Sequence, residues 1–128
     1  MSKIIEIAFN KIVIEAILND SDTAQKVLKA LPIKSAINLW GSEVYFEIDV
    51  VADLEDGKEL MDIGNIAFWP PGNAFCIFFG PTPASSDFRP RAASAVTVIG
   101  KMTGKDSVEK IKAIRSADII EIRVKEKQ

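Results

Sequence analysis

The sequence predicts a mainly β protein: a closed or nearly closed antiparallel β-barrel capped by two short helices. Three observations carry that prediction. Period-two alternation of apolar and polar residues recurs along the chain. Only two segments combine helical spacing with a helix-start signal. And residues 63–86 hold no charged residue in a chain that is 27% charged. This window includes the run WPPGNAFCIFFGPTP at 69–83 and half of the chain's aromatic residues, namely Phe68, Trp69, Phe75, Phe78 and Phe79.

Taken in order, residues 3–9 and 11–18 read as two β-rich strands joined by a tight turn at Asn10. Asp22, three residues before Gln25, makes an acidic capping box, and Ala24, Val27, Leu28 and Leu31 then form one apolar helical stripe that Pro32 ends. Residues 33–39 are a strand candidate. In 43–50, Val44, Phe46, Ile48 and Val50 share a core-facing side, while Glu43, Tyr45, Glu47 and Asp49 take the other. Residues 65–69 and 74–79 are apolar on both faces, as in strands covered on both sides. Between them, Pro71 and Gly72 suit the central positions of a type II turn, and Pro70 holds Trp69 extended. Residues 80–95 read as a long loop and 95–103 as a further strand. Asp106 with Glu109 repeats the capping signal before a weaker stripe of Val108, Ile111 and Ile114. In 118–125, Ile120, Ile122 and Val124 oppose Glu121, Arg123 and Lys125.

At 128 residues the chain fits a single domain, 1–128. Its net charge of −2, with both signs scattered, argues against nucleic-acid binding, which needs clustered Lys and Arg. A single cysteine, Cys76, allows no internal disulfide and fits a reducing, cytoplasmic setting; in mid-strand between apolar neighbours it reads as a small core residue. Glu6 interrupts any apolar signal segment, and the prolines and glycines of 70–83 rule out a membrane-spanning helix there. Histidine is absent, which removes Ser-His-Asp and Cys-His catalysis and the commonest ligand of catalytic zinc. Asp53, Glu55, Asp56, Glu59 and Asp62 crowd residues 53–62, but the spacing fails a calcium loop: from Asp53, Gly57 is fifth and no glutamate is twelfth. Asp56-Gly57 reads instead as a solvated hairpin turn. No cofactor and no metal site are expected.

Four residues stand out as candidates for ligand binding. Trp69 sits at a proline corner that would present it to a pocket. Phe78 lies with Cys76 on one face of strand 74–79, opposite Phe75, Ile77 and Phe79; which face looks inward stays open at this point. Arg89 and Arg91, two of four arginines, flank Pro90 just beyond the uncharged window. They form a fork suited to a carboxylate, phosphate or peptide carbonyl, or else loop ion pairs with Glu59, Asp62 or Asp87.

The run GNIAFWPPGNAFCIFFGPTPAS, followed by PRAASAVTVIGKM and preceded by WGSEVYF at 40–46, resembles the small prokaryotic cyclophilin-like proteins. The likeness is strong over residues 40–103. Asn65 stands where that family has aspartate, Phe68 where it has tyrosine and Ala95 where it has proline. The resemblance implies an eight-stranded antiparallel barrel with two capping helices. On that fold the residues read first as a binding domain of unassigned function, which takes a small molecule or a proline-containing, extended peptide in an aromatic groove closed by the 80–95 loop, through Trp69, Phe78, Arg89 and Arg91. A weak or atypical peptidyl-prolyl isomerase is the alternative. The chain lacks the Phe-His-Arg segment of the well-known isomerases, so an enzyme would need Arg89 or Arg91 as the donor to the prolyl amide. An oligomeric interaction protein, with the apolar segment as interface, is a third reading.

Overall fold

The N-terminal hairpin sets the frame. In the computed structural model, which describes residues 3–125, β1 (Lys3–Phe9) and β2 (Ile12–Leu18) pair antiparallel with Phe9 opposite Ile12. Asn10 and Lys11 between them take φ of +47° and +69°, the left-handed pair that a type I′ turn uses to match the twist of its strands. Ile5, Ile7, Phe9, Ile14, Ala16 and Leu18 share the buried face.

Helix α1 (Asp22–Ala30) follows the expected stripe, with Ala24 and Val27 buried. Its cap differs from the expected Asp22–Gln25 pair. Ser21 is the N-cap, and its hydroxyl accepts from the Ala24 N–H at 3.1 Å. Asp22 falls in the first turn, where a carboxylate suits the helix dipole. Glu55 closes the same end from a distant loop, accepting from the Thr23 N–H at 2.7 Å and the Thr23 hydroxyl at 2.6 Å. The expected strand 33–39 is two strands, β3 (Ile33–Ala36) and β4 (Asn38–Trp40). Ile37 separates them: its N–H donates to the Asp118 carbonyl at 3.0 Å and its own carbonyl accepts from the Ala117 N–H at 2.9 Å.

The remaining strands are β5 (Glu43–Glu47), β6 (Lys58–Leu60), β7 (Asn65–Trp69), β8 (Ala74–Phe78), β9 (Arg91–Met102) and β10 (Ile119–Val124), with helix α2 (Ser107–Ile111) before the last. Strand β6 lies in the acidic segment that reads as a hairpin turn. Asp56 does take a left-handed φ of +44°, but it bends extended chain into β6, and β6 pairs with the first half of β9. The expected loop is correspondingly shorter, because Arg91 already opens β9. RAASA carries little strand propensity of its own; pairing with β6 and burial of Ala92 impose it.

The sheet runs β3-β10-β1-β2-β9-β7-β8-β5-β4. This corrects the expectation of a closed, eight-stranded barrel: among the described residues there are ten strands, and the ladder is open. Closure would require β3 to bond to β4, yet these are successive pieces of one strand-like run divided by Ile37. The two edges meet end to end there instead of side by side. Strand β9 carries a one-residue bulge at Ile99, between Val98 opposite Ala67 and Gly100 opposite Ile66.

The open face question on β8 is settled by burial. Phe75 and Ile77 enter the main core with Ile5, Ile66, Phe68 and Ile99, and Phe46 stacks on Phe75 with ring centroids 5.3 Å apart. Ala74, Cys76 and Phe78 point the other way into a second, smaller cluster with Met61, Ala67 and Val96. That cluster explains the uncharged window, since β7 and β8 are covered on both faces. No helix among the described residues is long and apolar enough to cross a membrane.

Candidate functional site

The second face of the sheet is not completely filled. Beside the small cluster lies a half-open cavity of about 260 Å³. Its size follows from residue choice on neighbouring strands: Ala74 and Cys76 on β8 and Ala92 and Ala93 on β9 are small, while the walls come from Trp40, Tyr45 and Trp69. Strand register assembles these from separate stretches of sequence. Trp40 on β4 lies opposite Glu43 on β5, Tyr45 lies opposite Cys76, and Trp69 on β7 lies opposite Ala74.

Trp69 is held from two sides. Its indole N–H donates to the Ser94 hydroxyl at 2.7 Å. Behind it, Pro70–Gly72 forms a single 3-10 turn closed by the Asn73 N–H to the Pro70 carbonyl at 3.2 Å. The expected type II turn is therefore corrected: the left-handed residue is Asn73, at φ +48°. Gly72 is required for space, because a Cβ there would lie 2.8 Å from Cζ3 of Trp69. Replacing Gly72 with alanine is expected to swing the indole off Ser94 at a cost of about 1–3 kcal/mol. In a Trp40→Phe background, tryptophan emission reads Trp69 alone; emission unchanged by the alanine would refute the close approach of Gly72 to the indole.

Glu43 is the charged residue of the cavity wall. It is 7% exposed, and burial raises its carboxyl from the usual range to about 7, with the neighbouring Cys76 thiol opposing part of the rise. Burial, followed by the neighbouring carboxyl, pushes the Cys76 thiol well above its ordinary value. A thiol so held stays protonated and is no nucleophile.

Of the four residues singled out from sequence, Trp69 lines the cavity. Phe78 is fully buried beside it in the small cluster, opposite Glu43 in register. Arg89 lies on the exposed loop, paired with Asp87 at 2.8 Å, and Arg91 faces Glu59 at 3.6 Å. Neither guanidinium is part of the cavity wall. The loop that carries Arg89 is wired to its surroundings: the Ser42 N–H donates to the Pro81 carbonyl at 2.9 Å, the Thr82 hydroxyl to the Arg91 carbonyl at 2.5 Å and the Ser85 hydroxyl to the Arg89 carbonyl at 2.7 Å. Among the described residues no cluster of carboxylates and thiols is placed to hold a metal ion.

Sequence reasoning missed Trp40, Glu43 and Tyr45 as site residues. Alternation assigns Glu43 and Tyr45 to a polar face, and a polar face reads as solvent. The available signal was the company they keep: WGSEVY places one acid between two aromatics, Tyr45 two residues on along the same strand and Trp40 across a two-residue turn.

Comparison with known proteins agrees with this architecture. A family profile described as cyclophilin-like matches residues 3–123. The solution structure of a hypothetical protein from Archaeoglobus fulgidus is similar over 95% of this chain and 94% of that one, with 36% identity and a TM-score of 0.79. No curated protein matches the chain.

Proposed function

We propose, from the premise that this chain belongs to the cyclophilin-like family, that it is a small-molecule binding protein and that the cavity between Trp40, Tyr45 and Trp69 is its ligand site. The observation that carries the reading is a preformed apolar recess with a single carboxyl group, that of Glu43, in its wall. Apolar walls with a few convergent polar groups are the general character of ligand sites. The indole of Trp69 is pinned by Ser94 and Gly72 before any ligand arrives, which lowers the ordering cost of binding. At about 260 Å³ the cavity suits a compact molecule better than an extended peptide. A prolyl isomerase has less support, because it needs a donor at the apolar seat and the two candidate arginines face Asp87 and Glu59 instead.

A screen of small aromatic and amine fragments, followed by tryptophan emission and amide chemical shifts, tests this. Binders are expected to shift residues of β4, β5 and β8, with affinity falling at least about tenfold in Trp69→Ala, the scale of a lost aromatic wall. Binders that perturb only other surfaces, or no binder at all, would refute it.

A further inference from the structure

We propose that the ligand is a small organic cation, a protonated amine or quaternary ammonium attached to a flat apolar body, held between the tryptophans with its charge against Glu43. The inference rests on the cavity being the binding site. Three aromatic side chains form the walls, and aromatic faces, indoles above all, attract cations through their ring quadrupole. The charge in the wall is negative: Glu43 lines the cavity and no lysine or arginine does. Among the described residues no salt bridge reaches Glu43. An anion would meet both a carboxylate and the electron-rich ring faces.

The groups facing Glu43 strengthen the choice. From β8 it meets the Cys76 thiol, which stays protonated. Trp40 lies opposite it on β4, Tyr45 follows on its own strand, and Trp69 on β7 lines the same cavity. None supplies a positive charge, so a buried carboxylate here lacks the partner that such a group normally has. A ligand cation supplies it and binds the ionised acid selectively. Binding and proton loss are then linked: below about pH 7 each cation bound releases one proton, and affinity falls about tenfold per pH unit.

Benzylammonium, benzyl alcohol and benzoate share a ring and differ in charge, and they separate the possibilities. At about pH 8.5, where Glu43 is ionised, benzylammonium is expected to bind at least about tenfold tighter than the alcohol, with benzoate weakest. At about pH 5.5 that preference should collapse. Glu43→Gln keeps the shape and removes the charge, so it should abolish the preference seen at about pH 8.5. Equal binding of the amine and the alcohol at high pH overturns the cation inference and leaves the ligand site standing. A preference that survives in Glu43→Gln also overturns it. Failure of all three probes, with Trp69 emission unmoved, removes the site itself.

Discussion

Gly100→Ala is expected to destabilise the protein by about 3 kcal/mol or more, the upper end of overpacking costs, and to lower its thermal midpoint by about 10 °C or more. Gly100 lies on β9 just past the bulge, with Ile66 on one side and Leu18 on the other. A Cβ there would sit 2.2 Å from the carbonyl oxygen of Ile17. That atom belongs to the β2 backbone, so no side-chain rotation relieves the clash. Either β2 separates from β9 or the bulge is reorganised, and both undo the crossing that joins the N-terminal hairpin to the rest of the sheet. Gly64→Ala is the comparison. Gly64 has φ of +100° and no atom near its would-be Cβ, so alanine there meets backbone strain alone, about 1–2 kcal/mol. Urea unfolding of both variants separates the mechanisms. Equal losses, or a neutral Gly100→Ala, would show that β2 and β9 do not approach as closely as described.

Glu43→Gln is expected to raise stability at about pH 8.5 by about 2–3 kcal/mol and to leave it nearly unchanged at about pH 4.5. Burial raises this carboxyl from 4.5 to about 7 in the folded protein, so the folded state holds the proton more tightly than the unfolded chain. The stabilising contribution is therefore complete below about pH 4.5 and is lost as pH rises through 7. Above that, the unpartnered carboxylate is a liability that glutamine removes. Glu55 and Asp87 have the opposite sign. Hydrogen bonds from Thr23 and from Arg89 hold their carboxyls below the usual range, so what they contribute is lost only in more acidic solution. Thermal melts between about pH 5 and 8.5 thus isolate Glu43. A wild-type midpoint that does not fall across this window, relative to the glutamine variant, would sink the assignment.

Where alternation or turn chemistry was strong, the sequence was a good guide. Asn10 marks the first hairpin, the Ala24–Val27 stripe marks α1, and the uncharged run marks β7 and β8. The errors have a common physical origin. Ile37 looks like the middle of a strand, because nothing local tells that its backbone bonds to Ala117 and Asp118. RAASA looks like a loop, because its strand state is imposed by β6. Glu43 and Tyr45 look solvated, because period two reports a polar face without reporting what covers it. At the site, Trp69 was legible from its proline corner. Trp40, Glu43 and Cys76 were not, since register across three strands gathers them. Arg89 and Arg91 drew suspicion by standing next to the apolar run; in space their nearest charged neighbours are Asp87 and Glu59.

The open ladder has a consequence for how this protein behaves in concentrated solution. A sheet that fails to close leaves unpaired amide and carbonyl groups, and such borders can recruit strands from other molecules. Here the borders are β3 and β4, of four and three residues, together with the three-residue β6, which pairs with β9 alone among the described residues; all are too short to template a durable intermolecular ribbon. Ile37, anchored to Ala117 and Asp118, turns the chain from β3 to β4 and interrupts what would otherwise be a single long exposed strand. The break that denies this fold a closed barrel also guards it against polymerising edge to edge.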